Sequence, residues 1–314
     1  MELRGLLVAT ALPYREDLSV DLDRYAEHVR WLADNGCDGV VPNGSLGEYQ
    51  VLEPAERAAV VETAVAAAPP GFAVVPGVSA YGAREAARWA QQAAEAGCPA
   101  VMLLPPNGYR ADRDAVVAHF RAVAAVGLPV MAYNNPIDTK VDLTPALLER
   151  LYGEGLIVAV KEFSGDVRRA YEIAERVPGL DLFAGSDDVV LEMALAGAVG
   201  WVAGVPNALP RRSVALWRAA CAGDVATALP LYRALHPLLR WDSRTEFVQV
   251  FKLAMEEVGR YGGPCRPPRA PLDPAAEAAV REAVARALSP RILPHPTPPA
   301  QRGGAPAAVS AAGG

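Results

Sequence analysis

The chain has 314 residues, 52% of them hydrophobic and 21% charged, with a formal net charge of −6 at pH 7. That composition suits a globular protein with a sizeable core, and an acidic balance without a long basic run argues against nucleic acid as a partner. No uninterrupted apolar stretch reaches the ~20 residues of a membrane helix, and Met1-Glu2-Leu3-Arg4-Gly5 lacks signal-peptide features, so no membrane association and a cytoplasmic location are expected.

Gly5 to Tyr14 is an apolar run with a Pro near its end and reads as a first strand. Asp21 to Gly36 carries helical spacing (Leu22, Tyr25, Val29, Leu32) and stops at Asn35-Gly36, a C-terminal signal. Gly39 to Pro42 is a second short strand, followed by the turn Asn43-Gly44-Ser45-Leu46-Gly47-Glu48. Pro54 to Ala68 is a helix opened by Pro and closed by Pro69-Pro70. The alternation then repeats, with strands at Ala73 to Ser79, Ala100 to Pro105, Pro129 to Asn134, Ile157 to Phe163, Asp181 to Ala184 and Gly200 to Gly204. Helices intervene at Ala83 to Gly97, Arg113 to Gly127, Pro145 to Tyr152, Val167 to Val177, Val189 to Gly197 and Arg212 to Gly223.

About eight strand–helix units over ~225 residues predict the α/β class and a closed (β/α)8 TIM barrel. A doubly wound open sheet is the alternative, but its Gly-x-Gly-x-x-Gly fingerprint is missing after the first strand. Residues 1–224 are thus expected to form the catalytic barrel. Helical patterns at Ala226 to Asp242, Thr245 to Tyr261 and Pro274 to Leu288 form a C-terminal appendix over 225–288. The tail 289–314, rich in Pro, Ala and Gly, has little to bury and is expected to be disordered.

Among 30 basic residues only Lys140, Lys161 and Lys252 are lysine. Arginine cannot deprotonate, so a lysine retained in such a chain invites a chemical explanation. Lys161 lies in the apolar run Ile157-Val158-Ala159-Val160-Lys161-Glu162-Phe163. Burial lowers a lysine's pKa, and a neutral amine can form a Schiff base with a carbonyl. The other reading of Lys161 is a strand-end side chain that reaches back to water.

In such a barrel the active-site groups stand at the C-terminal ends of strands. That selects Gly44-Ser45-Leu46-Gly47-Glu48 after strand two, Tyr133-Asn134-Asn135-Pro136 at strand five, Lys161 on strand six, and Gly185-Ser186-Asp187-Asp188 after strand seven. The Gly44–Glu48 turn can aim backbone N–H groups at a carboxylate, helped by the helix expected to start after it. Tyr133 can move protons if a neighbour such as Ser45 tunes its phenol. The assembly suits a 2-oxo acid, with Lys161 attacking the ketone. Against this stand plainer readings: Tyr133 as a buried aromatic, Ser45 as a turn residue, Glu48 and Asp187-Asp188 as helix caps or starts, and Arg15, Asp138 and Lys140 as solvated loop charges. Cys37, Cys98, Cys221 and Cys265 show no paired spacing and read as reduced packing residues, and His28, His119, His236 and His295 have no ligand spacing, so no metal site is expected.

Gly44-Ser45-Leu46-Gly47-Glu48, Tyr133-Asn134-Asn135-Pro136 and Val160-Lys161-Glu162-Phe163-Ser164-Gly165-Asp166, in this order, resemble the dihydrodipicolinate synthase / N-acetylneuraminate lyase family over roughly residues 5–285. The resemblance implies a metal-free and cofactor-free class I aldolase-type lyase acting on pyruvate or a related 2-oxo acid, and a homotetramer or dimer. It makes Lys161 the Schiff-base lysine, Tyr133 the proton-relay tyrosine and Ser45 the hydroxyl that bonds it. Gly44 and Leu46, with Gly185 after strand seven and Val202 on strand eight, complete the candidate substrate-binding residues.

Two positions depart from the family pattern. Leu46 stands where many members carry a second hydroxyl, and Asp138 where the synthases carry an arginine that binds the second substrate's carboxylate. Aldol addition or cleavage is the first expectation. A dehydratase or deaminase of a hydroxylated 2-oxo acid or cyclic imine acid, such as a pyrroline-4-hydroxy-2-carboxylate deaminase, is an alternative. A non-catalytic 2-oxo acid binder or sensor is another, and a phosphate-binding barrel enzyme using a surface lysine is a third, which the loops Gly185-Ser186 and Gly204-Val205-Pro206 are too weak to support.

Overall fold

A computed structural model describes residues 3–289, so the tail expected to be disordered lies outside the described residues except for Ser289. Eight strands form one sheet: β1 (Gly5–Ala9), β2 (Gly39–Val41), β3 (Ala73–Val74), β4 (Val101–Leu103), β5 (Val130–Asn134), β6 (Ala159–Glu162), β7 (Asp181–Ala184) and β8 (Gly200–Ala203). Their order is β3-β2-β1-β8-β7-β6-β5-β4, and every pairing is parallel. A parallel bridge between Gly77 and Met102 joins the two ends, so the sheet closes on itself as a TIM barrel.

The third strand is shorter than the expected Ala73 to Ser79. Pro76 has no N–H to give, which interrupts the ladder there. The backbone nevertheless keeps its course. Val75 N–H bonds the Val40 carbonyl at 2.9 Å, and Met102 N–H bonds the Pro76 carbonyl at 2.9 Å.

The barrel helices are α1 (Leu22–Asp34), α2 (Pro54–Ala67), α3 (Ala83–Glu95), α4 (Arg113–Ala124), α5 (Pro136–Thr139), α6 (Pro145–Gly153), α7 (Arg168–Arg176), α8 (Val190–Leu195) and α9 (Pro210–Cys221). Their starts follow from sequence. The Asp21 and Asp112 carboxylates accept the Arg24 and Ala115 N–H groups at 3.1 and 2.8 Å, and Pro opens α2, α6 and α9. Each helix turns one stripe inward, as α1 buries Tyr25, His28, Val29 and Leu32. The four-residue α5 was not foreseen; Asn135 caps it by accepting the Asp138 N–H at 3.2 Å.

The remaining helices are α10 (Val225–Leu239), α11 (Phe247–Glu257) and α12 (Pro274–Leu288). α10 packs on α9 and α12, while α11 lies against the 3-10 turn Val205–Asn207 that follows β8. The approach is close: a side chain at Gly204 would meet the Phe251 ring at 2.6 Å. This docking carries the α10–α11 connection, residues 240–246, over the C-terminal mouth of the barrel. Asn207 secures the same end, accepting the Ala11 N–H and His28 Nε2–H at 2.9 and 3.0 Å and donating to the Ala9 and Gly204 carbonyls.

Candidate active site

The three lysines sort by environment. Lys140 is exposed and donates to the Ile137 carbonyl. Lys252 is buried, but its ammonium is fully engaged, 2.8 Å from Glu48 Oε1 and 2.6 Å from the Pro264 carbonyl. Lys161 is also buried, at 5% exposure, and forms no ion pair among the described residues. Burial drives its pKa below the usual lysine value, against Asp242 and Asp187, whose charges favour the ammonium.

Lys161 stands at the floor of a cavity of about 320 Å³ in the barrel mouth. The register pairs it with Tyr133 across β5 and β6, so both side chains enter the barrel on one level. Its Nζ lies 4.2 Å from the Tyr133 ring centroid and 5.5 Å from that of Phe163. Gly185 lies behind it: a Cβ there would stand 2.4 Å from the Glu162 carbonyl and 3.0 Å from Lys161 Cγ, so the bare backbone makes room for the lysine stem. Gly185 is accordingly outside the lining of the cavity, whereas Gly44, Ser45, Leu46 and Val202 are part of it.

Tyr133 differs from expectation in its partner. Its hydroxyl accepts Asn135 Nδ2–H at 3.2 Å, and no hydrogen bond joins it to Ser45. Burial, and then the charge of Asp242, hold the phenol well above its ordinary value, so it remains protonated near neutral pH. Asn135 Nδ2 also bonds Asp138 Oδ2 at 2.8 Å, which places that carboxylate on the β5 wall of the cavity.

The loop after β2 also departs from expectation. One 3-10 turn, Tyr49–Val51, follows it rather than an α-helix, and α2 begins only at Pro54, so no long helix dipole points at the site. What remains are the Ser45 and Leu46 N–H groups, which carry no hydrogen bond among the described residues. Leu46 contributes an apolar surface. Glu48 adopts a left-handed backbone with φ of 54° and makes no side-chain cap. Its carboxylate instead takes Lys252 and the Arg266 N–H at 3.0 Å, which ties the loop to the C-terminal segment.

Asp242 was not among the residues that the sequence pointed to, whereas Asp187 was, with a helix start as its plainer reading. Asp187 does begin a 3-10 turn, as expected, but its side chain is fully buried and directed at β8. It accepts Trp201 Nε1–H at 2.9 Å and the Gly204 and Val205 N–H groups at 3.1 and 3.0 Å. Asp242, in the α10–α11 connection, accepts the Asp187 N–H at 3.2 Å and lines the cavity with Lys161 and Tyr133. Burial, and then Asp187, push its carboxyl well above the usual range. A lysine inclined to be neutral thus faces a carboxyl group inclined to hold a proton. The sole sequence signal was Asp242 interrupting two helical patterns, and nothing local tied it to a strand six lysine.

Among the described residues no cluster of three or more His, Cys, Asp and Glu could hold a metal ion, and no helix is long and apolar enough to cross a membrane. The cavity supplies an amine, a phenol, a carboxyl group and free backbone N–H groups.

The model of the dihydrodipicolinate synthetase family matches residues 2–287. A DapA-like lyase of Rhizobium meliloti, otherwise uncharacterised, is 35% identical over 286 residues, covering 90% of this chain and 95% of that protein. The 4-hydroxy-tetrahydrodipicolinate synthase of Alcanivorax borkumensis is 34% identical, covering 89% of this chain and 96% of the relative. Among solved structures, a putative dihydrodipicolinate synthetase from Pseudomonas aeruginosa superposes with a TM-score of 0.87 at 28% identity, covering 91% of this chain and 100% of the other. The Escherichia coli K12 prophage protein YagE, of the dihydrodipicolinic acid synthase family and solved with pyruvate, gives 0.85 at 27% identity, covering 92% and 99%.

Proposed function

The chain belongs to the dihydrodipicolinate synthetase family, and on that premise we propose that it is a class I, Schiff-base-forming lyase that takes pyruvate or a related small 2-oxo acid through aldol addition or cleavage. The observation that carries the reading is the contrast between its buried lysines. Lys252 is neutralised by Glu48, while Lys161 faces an open cavity without an ion pair, beside Tyr133. The pyruvate bound to the related YagE supports the choice of substrate.

In this reading the Lys161 amine adds to the ketone carbon, and the carbonyl oxygen takes up a proton. The nitrogen loses one of its protons, the carbinolamine oxygen takes up a second proton, the C–O bond breaks, and water departs to leave an iminium ion. Tyr133 carries the protons between nitrogen, oxygen and the cavity, with Asn135 fixing its hydroxyl. Asp242 holds a proton near the departing oxygen and, once ionised, offsets the iminium charge. The Ser45 and Leu46 N–H groups take the carboxylate, and Gly44 and Val202 shape the wall around the acid. Losing a proton from the carbon beside the iminium gives an enamine, which adds to an aldehyde; cleavage is the reverse. The working protein in this reading is a cytoplasmic homotetramer or dimer.

Borohydride reduction in the presence of pyruvate tests it. Intact mass should show one adduct per chain, peptide mapping should place it on Lys161, and Lys161→Ala should abolish it. Folded wild-type protein that traps no 2-oxo acid at Lys161 overturns the mechanism.

A further inference from the structure

The Asn135 side-chain amide has two N–H bonds and spends both. One goes to the Tyr133 hydroxyl at 3.2 Å and the other to Asp138 Oδ2 at 2.8 Å. Its carbonyl oxygen accepts the Asp138 backbone N–H at 3.2 Å. Turning this amide over would set Oδ1 against the Asp138 carboxylate and Nδ2 against an N–H group, so Asp138 holds it in one orientation. The short α5 turn fixes Asp138 itself: Pro136 opens it, and the Thr139 hydroxyl donates to the Asn135 backbone carbonyl at 2.7 Å.

A phenol oxygen that accepts an N–H from the β5 wall keeps its own O–H proton for the other side. Tyr133 makes no further hydrogen bond among the described residues, and it lines the cavity with Lys161. We infer that Asp138 is a positioning residue: by locking the Asn135 amide, it turns the O–H proton of Tyr133 into the cavity, toward the oxygen that leaves the carbon bound to Lys161. The inference rests on the Schiff-base reading and adds the residue that gives its proton relay a direction. With the amide reversed, the phenol would donate into the wall and offer the substrate only lone pairs. The charge of Asp138 acts in the same sense, since after burial and Asp242 it is a further cause that keeps the phenol protonated. An arginine at this position would have no acceptor to give Asn135.

Deuterium exchange into the methyl group of pyruvate, followed by proton NMR on the full chain, tests the inference. Every exchanged molecule must enter and leave the iminium ion, the steps that use the phenol's proton, and no second reactant is needed. Rates are taken per Lys161 adduct trapped with borohydride, so chains that fail to fold drop out. Asp138→Leu should lower kcat for exchange about tenfold, the scale of one hydrogen bond, with KM for pyruvate within about twofold. Asp138→Asn, which keeps an acceptor for Asn135, should lose less. In a Tyr133→Phe background, Asp138→Leu should cost nothing further. Asn135→Asp combined with Asp138→Asn keeps the hydrogen-bonded chain but reverses the phenol, and should fall to the rate of Tyr133→Phe. An Asp138→Leu loss of equal size with and without the Tyr133 hydroxyl overturns the inference. So does a loss confined to KM, or a reversed pair as fast as wild type. Wild type that traps no pyruvate at Lys161 overturns instead the Schiff-base reading.

Discussion

Lys161 and Tyr133 are direct register partners on β6 and β5, and the lysine Nζ stands 4.2 Å from the tyrosine ring centroid. The barrel closes around this pair, and a third group reaches it from outside: Asp242, carried by the α10–α11 connection. The chemistry of the cavity follows from how these side chains alter each other's protonation.

Removing the charge of Asp242 separates its effects on ground state and intermediate. In its ionised form Asp242 favours the Lys161 ammonium, so Asp242→Asn, which cannot ionise, should lower the lysine pKa further. The acid limb of the pH–rate profile for adduct formation should move to lower pH. Turnover should nevertheless fall about 10²-fold, because a proton donor near the departing oxygen is lost. An acid limb that moves to higher pH would contradict the assignment.

Tyr133→Phe keeps the ring beside Lys161 and removes the hydroxyl bonded to Asn135. Pyruvate should still be trapped at Lys161, while kcat drops by about 10²–10⁴. Stopped-flow trapping beside steady-state rates measures both. Undiminished turnover would mean that the protons travel by another route.

The ion pair of Glu48 with Lys252 is buried on both sides, at 1% and 3% side-chain exposure. Lys252→Met leaves a buried carboxylate without its cation and should cost about 3–5 kcal/mol in urea unfolding. Combining it with Glu48→Gln should recover part of that loss. Because Glu48 ends the loop that bears Ser45 and Leu46, KM for the oxo acid should rise in the single variant. A loss under about 1 kcal/mol would mean that water enters to solvate Glu48.

His28 and His119 are each held down to about 4 by burial. The folded protein keeps both neutral in a range where the unfolded chain, with an ordinary pKa near ~6.5, takes up protons. Their contribution to stability is therefore full above about pH 6.5 and declines as pH falls toward 4. Each should cost on the order of 2 kcal/mol between pH 7 and pH 5. Urea midpoints at the two pH values measure the sum, and His119→Phe should flatten the dependence. An unchanged slope in that variant would remove His119 from the account.

Much of the site was legible along the chain because it uses local signals. A lysine inside an apolar strand, in a chain that otherwise uses arginine, marks itself without any contact being known. The alternation of strand and helix supplies the barrel, and the barrel fixes which strand ends face one another. Tyr133 and Ser45 were placed at the right mouth for that reason, but the hydroxyl partner of Tyr133 was not, since Asn135 rather than Ser45 holds it. Strand ends give a direction, whereas a hydrogen bond depends on the path of each loop, and here the unforeseen α5 turn sets that path.

The sequence by itself determined the repeating units, the helix starts at Asp and Pro, and the lysine set in an apolar strand, all of which depend on neighbours a few residues apart. Tertiary structure decided which buried lysine is neutralised and which is not, because Glu48 and Lys252 are 204 positions apart and meet only when α11 docks on the barrel end. It also brought Asp242, Arg244 and Arg269 to the cavity from outside the barrel. Charge interactions depend on distance in space, and no spacing in the chain encodes where a C-terminal segment folds back across a mouth made by other strands.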